Sequence, residues 1–478
     1  MAQIIKAGCE QFYAERDNRT NLIYTQPQEP VLLAISLADE WAATAIGQLT
    51  FLWLCSLTAR MGRRYNRLQV WLSQGAANAK CLIPGVAAPN LATAVLSHLQ
   101  GADPCGGYGW AERPAEGAFI VSVGDLPTGT DGRVVRPNGW GAVLADQGAL
   151  DSVDLVAGVD LNPVGAALAA ALGAATVYHH FNRDLLSRYE PQTPLWLSAH
   201  HSAGTTSADE AVTWSSGPRL PADLDLGRVL VVGAGALGGN MLAILGALKS
   251  LRGRVEVADD DPLEVSNLNR LVAALVRHLQ QYKAHIAAES LSGSSIEVVA
   301  HVERFERLQS ISAAARLPLE TYDAVVSGVD QMASRAFIQS GWPRLLIDGG
   351  TGGFTWRVST FPSASDGACA GCLAGNSQRN FNELRAPMRC AGGQADQGVQ
   401  TFQPFESYSF VSFLGAAFLA ARVLQRALGL LPTNESVSAE ADALFLGGMQ
   451  SKILQKSERC LCLCGHPEAR AYRAAKYT

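Results

Sequence analysis

The chain has 478 residues, of which 48% are hydrophobic and 17% charged, and its formal net charge is -5 at pH 7. This length is enough for two or three domains with cores of their own, and the composition excludes a disordered or fibrous protein. The weakly acidic balance gives no electrostatic reason to expect nucleic acid or an anionic membrane as a partner. Because residues 1–6 lack the charged start and apolar run of a signal peptide, we expect a cytoplasmic protein.

Apolar segments in the first half predict buried strands and helices. Buried strands are predicted at Val31–Ala38, Phe119–Asp125 and Gly139–Gly148. The apolar run Ala42–Ala59 is short for a membrane span and includes polar residues, while Phe410–Leu431 in the second half contains two arginines. We therefore expect both runs to be buried helices of a large core, with no membrane partner.

A change of composition separates the two halves. Residues 191–226 are rich in Ser, Thr, Pro and Gly, which is typical of an interdomain linker. This predicts one domain at 1–190 and another at 227–478.

A glycine-rich loop follows the predicted linker. The strand Val229–Val232 leads into a turn with Gly233, Gly235 and Gly238, and then into a helix. Glycines at this spacing let the backbone approach a phosphate at a helix N-terminus. Because NAD enzymes and ATP enzymes share this pattern, the residues after it decide between them.

The next strand, Val255–Ala258, is followed by polar residues suited to a nucleotide triphosphate. Asp259 at its end is placed to accept hydrogen bonds from ribose hydroxyls. Beyond it come Asn267, Arg270 and Lys283, a polar and twice-cationic set. A triphosphate needs such cations, whereas a hydride-transfer site does not.

Segments of the second half resemble segments of the first. The matched pairs are Gly341–Gly350 with Gly139–Gly148, Ala324–Asp330 with Phe119–Asp125, and the helix at Gly415 with the helix at Gly165. The distance from Gly233 to Gly341, counted back from Gly139, leads to Val31–Ala38, which is therefore matched with the strand before the glycine loop. We therefore predict that the chain contains one α/β fold twice.

The first copy lacks the features of a nucleotide site. The bulky and acidic segment Ser36–Trp41 stands where the glycine loop should be, and the position equivalent to Asp259 falls near Ser73. Such side chains block and repel a phosphate, so this copy should not bind ATP.

The ten cysteines are unevenly distributed. Four are scattered in the first half, whereas Cys369, Cys372, Cys390 and three tail cysteines cluster late. This distribution predicts reduced thiols and a metal site rather than a disulfide framework. The glycine-flanked Cys369-x-x-Cys372 is suited to hold two thiolates on one Zn²⁺.

The second half resembles a known family. Asp259-x-Asp261, Ser266–Arg270, Lys283 and later Asp330 with Arg335 are similar to the adenylation domain of ubiquitin-activating enzymes and of the ThiF and MoeB adenylyltransferases of sulfur-carrier pathways. The resemblance covers roughly residues 227–466. It implies an α/β fold class with two tandem Rossmann-like adenylation domains, the first degenerate and the second active, and a small zinc knuckle.

The resemblance also implies roles for these residues. ATP and Mg²⁺ would be bound by Gly233, Gly235, Gly238, Asp259, Asp261, Asn267, Arg270, Lys283, Asp330 and Arg335. Among them Arg270 and Lys283 would clamp the phosphates, and Asp330 would be the Mg²⁺ ligand. Arg19, in Arg16-x-x-Arg19, would reach the triphosphate from the other domain as an arginine finger.

The family's zinc site implies a second thiolate pair in the tail. Cys464 matches the last ligand, but the usual partner position is Leu461, so Cys462 or, alternatively, Cys460 must replace it. Cys390 would then be free, at a position that resembles the family's thioester-forming cysteine, and the neighbouring Arg389 would favour its thiolate.

These implications lead to a hypothesis and several alternatives. The hypothesis is that the chain uses ATP to adenylate the C-terminus of a ubiquitin-like protein, forms a thioester on Cys390 and passes it to a ubiquitin-conjugating enzyme. The alternative is a sulfur-carrier adenylyltransferase that stops at the adenylate. A binding module, an NAD oxidoreductase and a fused conjugating enzyme using Cys105 are less consistent with the residues. The compact, alanine-rich design suggests a bacterial source, and the resemblance to fused activating enzymes implies a ubiquitination-like system of antiviral defence.

Overall fold

A computed structural model describes most of the chain. The described residues are 2–18, 29–127, 129–147, 162–184, 186, 193–214, 217–310, 317–376, 408–444, 449–458, 460, 462 and 464–477.

The described residues form two large sheets, each with eight strands in the same order. The first sheet, in the order β3-β2-β1-β4-β5-β6-β7-β8, is built from β1 (Leu33–Leu37), β2 (Gln69–Trp71), β3 (Gly109–Ala111), β4 (Phe119–Val123), β5 (Arg133–Asn138), β6 (Gly141–Asp146), β7 (Leu195–Ser198) and β8 (Ala203–Thr205). The second, in the order β11-β10-β9-β12-β13-β14-β15-β16, is built from β9 (Asp225–Val232), β10 (Arg252–Ala258), β11 (Ser295–His301), β12 (Ala324–Ser327), β13 (Leu345–Gly352), β14 (Thr355–Pro362), β15 (Val437–Asp442) and β16 (Ser451–Ile453).

Fourteen α-helices are described among these residues. They are α1 (Ala2–Arg16), α2 (Asp39–Ala42), α3 (Ala45–Arg60), α4 (Gln74–Asn78), α5 (Leu91–Ala102), α6 (Pro163–Asn182), α7 (Ala208–Thr213), α8 (Gly238–Gly246), α9 (Lys283–Ser290), α10 (Phe305–Ser310), α11 (Met332–Ser340), α12 (Ala370–Asn376), α13 (Ser409–Ala427) and α14 (Pro467–Tyr477). Short 3-10 helices lie at Arg63–Tyr65, Val265–Asn267, Val276–His278 and Leu319–Thr321.

Local signals explain where the long core helices begin. Thr44 caps α3 by accepting a hydrogen bond from the Gly47 amide, and Asn162 caps α6, whose first residue is proline. The helices α6 and α13 are long and apolar enough to cross a membrane, but 83% and 89% of their apolar windows are buried inside the protein. Their apolarity is therefore used in packing, as it is in the buried helix α3.

The shared strand order confirms the fold class, because each half has a parallel set of strands extended by antiparallel ones. In each half the first strand lies between two parallel neighbours, β2 and β4 around β1 and β10 and β12 around β9. The pairing proposed between Gly139–Gly148 and Gly341–Gly350 is wrong, however. Gly341–Gly350 enters β13, which pairs parallel with β12, whereas Gly139–Gly148 contains β6, which pairs antiparallel with β5. The local pattern of an apolar strand followed by Asp and Gly does not specify which strand lies beside it in the sheet.

The interpretation of 191–226 as a linker is also wrong. Within it, β7 pairs antiparallel with β6, β8 pairs antiparallel with β7, and α7 follows them. The second sheet then begins at Asp225, inside the predicted linker. Ser, Thr and Gly are as compatible with short edge strands as with a linker, so composition alone does not distinguish the two.

The two halves share one core. Helices α3 and α6 of the first half pack against α13 of the second, where the Trp53 and Phe413 rings meet edge to face. The Tyr178 hydroxyl donates to the Tyr408 hydroxyl at 2.9 Å, and the Ser409 hydroxyl donates to the Leu57 carbonyl at 2.7 Å. The first half is thus part of the packing around the second sheet.

Candidate nucleotide-binding site and metal centre

The glycine loop lies at the carboxyl end of β9, at the centre of the second sheet. Gly233 has φ +90°, and a Cβ atom at Gly238 would stand 2.0 Å from the Gly233 carbonyl oxygen, so both positions require glycine. At Gly235, by contrast, no heavy atom among the described residues beyond its chain neighbours lies within 4 Å of where a Cβ would stand. The loop therefore offers open space at Gly235, where a phosphate could approach the backbone.

Asp259 follows β10 and faces the loop. Its carboxylate accepts hydrogen bonds from the Ala234 amide at 2.7 Å and from the Asp261 amide at 2.9 Å. Burial raises the pKa of Asp259, while the nearby Lys283 and the two amides act in the opposite direction. The carboxylate thus orients the start of the glycine loop, a contact that the sequence did not indicate.

Lys283 and Asp261 form an ion pair beside Asp259. The Lys283 ammonium lies 2.8 Å from the Asp261 carboxylate, and the Lys283 amide donates to the Asp261 carbonyl at 2.9 Å. The lysine side chain is 11% exposed and that of Asp261 53% exposed. The structure therefore brings these two predicted residues together and holds the cation at the edge of the site.

Asn267 and Arg270 lie on a turn that is hydrogen-bonded to itself. The Asn267 side-chain oxygen accepts from the Glu264 amide at 3.0 Å, and the Arg270 guanidinium donates to the Ser266 carbonyl at 3.0 Å and to the Asn269 side chain at 2.8 Å. Both predicted residues therefore also support their own turn.

Asn240, which sequence reasoning missed, connects this turn to the glycine loop. Its fully buried amide donates to the carbonyls of Ala236 and Arg270 at 2.7 and 2.8 Å, and its oxygen accepts from the Val272 amide at 2.8 Å. The only sequence signal was a polar residue inside the apolar helix α8.

Asp330 and Arg335 follow β12 but lie differently. Asp330 is exposed beyond the strand end, where a bound triphosphate could share a metal ion with it. Arg335 is buried and donates to the Asp348 carboxylate at 2.6 Å and to the Val329 carbonyl at 2.5 Å, and Arg357 contacts the same carboxylate at 3.1 Å. The Arg335 guanidinium thus holds the Val329 backbone and the Asp348 carboxylate together, and its nucleotide-binding role stays a prediction.

The N-terminal helix α1 also lies near the site. Arg16 is fully buried and contacts Asp17 at 2.6 Å and Asp103 at 2.8 Å, and these carboxylates help raise the pKa of Arg16 against the opposing effect of burial. The helix contacts the 3-10 turn Val265–Asn267. Arg19, the predicted arginine finger, lies outside the described residues.

A disulfide between Cys9 and Cys105 joins α1 to the segment that follows α5. The expectation that all thiols are reduced is wrong for this pair. The two cysteines are separated by 96 residues, and only the packing of α1 beside the end of α5 brings them together.

Four buried cysteines form a cluster between the end of β14 and the tail. The sulfur atoms of Cys369, Cys372, Cys460 and Cys464 all lie within 4.8 Å of one another. The distances are 3.9 Å for Cys369–Cys372 and 3.3 Å for both Cys369–Cys460 and Cys372–Cys464. Four thiolates around one Zn²⁺ stand about 3.8 Å apart, because each Zn–S bond is about 2.3 Å. The cluster could therefore hold a metal ion of this kind.

The cluster corrects one ligand assignment. The sequence favoured Cys462 with Cys460 as the alternative, and the structure gathers Cys460, while the Cys462 sulfur lies 4.0 Å from the Ala336 carbonyl. The alternating spacing of the tail cysteines points neighbouring thiols in different directions, which spacing alone does not resolve.

Cys390, the predicted nucleophile, lies outside the described residues. The described chain stops at Asn376, shortly after the cysteine cluster, and resumes at Tyr408 in the aromatic contact with Tyr178. The nucleophile therefore stays a prediction.

A glycine loop at the centre of a mixed sheet, an aspartate at the end of the next strand and a duplicated topology define a protein built on a doubled α/β nucleotide-binding fold. The chain belongs to the ThiF family, whose profile matches residues 216–462. A second profile, described as the BilD N-terminal domain, matches residues 32–190 in the first half.

Similar proteins include activating enzymes and an adenylyltransferase. A Sinorhizobium fredii protein, "Uncharacterized protein y4jF", is 30% identical over 241 residues, covering 50% of this chain and 43% of its own. The NEDD8-activating enzyme E1 catalytic subunit of Saccharomyces cerevisiae is 30% identical over 146 residues, covering 28% of this chain and 46% of its own. The probable molybdopterin-synthase adenylyltransferase of Porphyra purpurea is 34% identical over 137 residues, covering 28% and 34% respectively. This chain thus spans less than half the length of each relative.

Proposed function

We propose that the chain activates a ubiquitin-like protein in two steps and transfers it to a ubiquitin-conjugating enzyme. In the first step a C-terminal carboxylate oxygen attacks the α-phosphorus of ATP, the bond to the β-phosphate breaks, and pyrophosphate leaves. In the second, the Cys390 thiolate attacks the acyl carbon and AMP leaves, so that a thioester remains.

The observation that carries the first step is the set of groups at the carboxyl ends of β9, β10 and β12. Open backbone at Gly235, the Asp259 carboxylate and the Lys283 ammonium surround the place where a nucleotide of this fold binds. Asp259 faces the ribose and Lys283 the phosphates, with Arg270 as a second cation. Positioning and charge neutralisation are the main protein contributions to such displacements.

Asp330 is the residue proposed to hold Mg²⁺. It is exposed at the end of β12, and Mg²⁺ favours a carboxylate together with phosphate oxygens. The ion, when bound, neutralises charge on the triphosphate. The zinc proposed for the cysteine cluster would instead be structural, because all four ligands are buried and no ligand position is left open to a substrate.

Pyrophosphate exchange into ATP tests the first step. We expect exchange only with a cognate ubiquitin-like protein, and a version of that protein without its last residue is the matched control. Equal exchange with both, or none with any small protein carrying a glycine C-terminus, would refute adenylation of a protein carboxylate.

An adduct assay tests the second step. The chain and its partner should form an ATP-dependent adduct that survives denaturation and disappears with excess thiol. Cys390→Ala should lose the adduct and keep pyrophosphate exchange, and Cys390→Ser should form an ester that resists thiol.

The second candidate is a sulfur-carrier adenylyltransferase that stops at the adenylate. The similarity to a molybdopterin-synthase adenylyltransferase favours it. Normal exchange without any thiol-sensitive adduct would select this candidate. In either case we propose a cytoplasmic enzyme, and for the first candidate a place in a bacterial ubiquitination-like defence system.

A further inference from the structure

Arg60 crosses from the first half into the nucleotide site of the second. It is the last residue of α3, and its guanidinium is fully buried. It donates to the carbonyls of Leu268 at 2.5 Å, Val272 at 3.1 Å and Ala274 at 2.8 Å. These three carbonyls flank Arg270, the proposed phosphate clamp.

Residues of the first half also hold the Arg60 guanidinium in place. Its Nε atom donates to the Ser56 hydroxyl at 3.1 Å, and that hydroxyl also contacts His98 Nε2 at 3.0 Å. Burial lowers the pKa of His98 to about 3, which keeps that imidazole neutral beside the guanidinium. Four donors of Arg60 are therefore directed at named acceptors.

Burying the Arg60 guanidinium without a carboxylate partner reduces the stability of the folded chain. In the described part of the chain, no carboxylate lies within ion-pair distance of Arg60, and burial lowers its pKa to about 9. A buried cation without an anion is commonly less stabilising than an apolar side chain of similar volume. What the guanidinium provides is geometry, because it fixes three backbone carbonyls that an apolar residue would leave unsatisfied.

We propose that Arg60 is a positioning residue for nucleotide binding, which holds the segment 268–274 so that Arg270 faces the phosphates. Asn240 holds the same segment from within the second half, through the Arg270 carbonyl and the Val272 amide. The degenerate half thereby contributes to a site that it does not contain. The inference rests on the proposed function, whose nucleotide site it deepens.

Arg422 offers a matched control. It is also a buried arginine across the interface, on α13, where it donates to the Ser202 hydroxyl at 2.8 Å and to the Gln425 side chain at 3.0 Å. Burial lowers the pKa of Arg422 to about 10. Its contacts are with the turn between β7 and β8, so its loss should perturb the interface without touching 268–274.

The test measures ATP·Mg²⁺ binding by calorimetry and amide hydrogen exchange in Arg60→Ala and Arg422→Ala. We expect Arg60→Ala to weaken ATP binding at least tenfold and to lose protection at residues 266–274, and millimolar guanidinium to restore part of both. Arg422→Ala should leave ATP binding and these amides unchanged. If Arg60→Ala does not fold, Arg60→Lys, which keeps the charge but not the forked donors, should weaken ATP binding at least threefold.

Three results would overturn the inference: unchanged ATP affinity in both Arg60 variants, equal losses in Arg60→Ala and Arg422→Ala, or normal protection of 266–274 in Arg60→Ala. Neither measurement requires a protein substrate. A chain that binds ATP but never exchanges pyrophosphate therefore refutes the proposed function and not this inference. If the wild type does not bind ATP, both this inference and the proposed function are refuted, because each requires the nucleotide site.

Discussion

The loops after β1 and β9 occupy the same place in two sheets of the same strand order, yet they are filled differently. After β9, Gly233 packs directly on Gly328 behind β12, and space remains open at Gly235. After β1, Trp41 is 2% exposed and its ring lies so close to Gly124 behind β4 that a Cβ there would stand 2.3 Å away.

The residues at the ends of the next strands differ in the same way. Asp259 in the second half accepts a hydrogen bond from the Ala234 amide of the glycine loop, whereas Ser73 in the first half donates at 2.6 Å to Asp39, a carboxylate that follows β1. The comparison teaches that side chains can fill the place of the glycine loop while the strand order beneath it stays the same.

Removing Asp330 should have the largest effect. Asp330→Ala is expected to abolish pyrophosphate exchange, because the proposed Mg²⁺ ligand is lost. The matched control is Asp125→Ala, since Asp125 follows β4 as Asp330 follows β12 and its side chain forms an ion pair with Arg136. Full exchange in Asp330→Ala, or equal losses in both variants, would break the distinction between the halves.

The cysteine cluster sharpens the comparison next. Cys460→Ser is expected to lose bound zinc and to unfold at a lower temperature, since one thiolate of the tetrad is removed. Cys462→Ser should keep one zinc per chain, because Cys462 is not among the four cysteines whose sulfur atoms lie within 4.8 Å of one another. Metal analysis and thermal unfolding measure both, and the reverse pattern would reassign the ligand.

Trp41→Ala tests whether the Trp41 ring alone prevents the first half from binding a nucleotide. Loss of this buried ring should reduce the free energy of unfolding by about 3–5 kcal/mol. It should leave one ATP site per chain, because the sequence after Ser73, the predicted equivalent of Asp259, contains no Asn-x-x-Arg like Asn267–Arg270. Calorimetric stoichiometry is the measurement, and two sites per chain would overturn the comparison.

Loss of a phosphate clamp should have a more moderate effect. Lys283→Ala and Arg270→Ala are each expected to slow pyrophosphate exchange by about 10²-fold, as lost charge stabilisation does at comparable sites. Lys249→Ala is the matched control, since its ammonium donates to the Ser292 carbonyl at the opposite end of the second sheet. Steady-state exchange rates distinguish the variants.

The smallest expected effect concerns pH. Burial raises the pKa of Asp259 above its ordinary value of 3.8, so folding favours the protonated acid. Its contribution to stability is therefore fully present below the unfolded pKa and is lost as the pH rises through the folded pKa. The stability difference between wild type and Asp259→Asn, measured by denaturant unfolding from pH 3 to 7, should fall over that window, and a constant difference would contradict the raised pKa.

The sequence was sufficient for features that short segments determine. Glycine spacing located the loop, and Asp261, Lys283 and Cys369-x-x-Cys372 were singled out because each belongs to a recognisable motif, although the ion pair between Asp261 and Lys283 was not predicted. Long-range contacts were not accessible. The side chains of Arg60 and Cys9 have partners more than 90 residues away, and only tertiary packing brings them together.

The strands β7 and β8 were misassigned for a related reason. β8 consists of small residues, and β7, although apolar, has only 4 residues and pairs with β6, which lies far back along the chain. Alternation and turn residues specify that a strand forms, but the neighbour is chosen by the packing of whole layers. One signal was available for Arg60, since a charge at the end of the apolar run Ala42–Ala59 is costly without a partner.

A metal ion bound by the cysteine cluster would also close part of the polypeptide into a loop. Cys372 and Cys464 are separated by 92 positions, and a metal joining them would close a loop that contains α13 and Cys390. Closing a loop of this size removes about 4–5 kcal/mol of chain entropy from the unfolded state, by the estimate used for covalent cross-links. The metal would thus stabilise α13 without touching it. A chain that binds its metal early would begin folding with the two ends of the segment that contains Cys390 already joined.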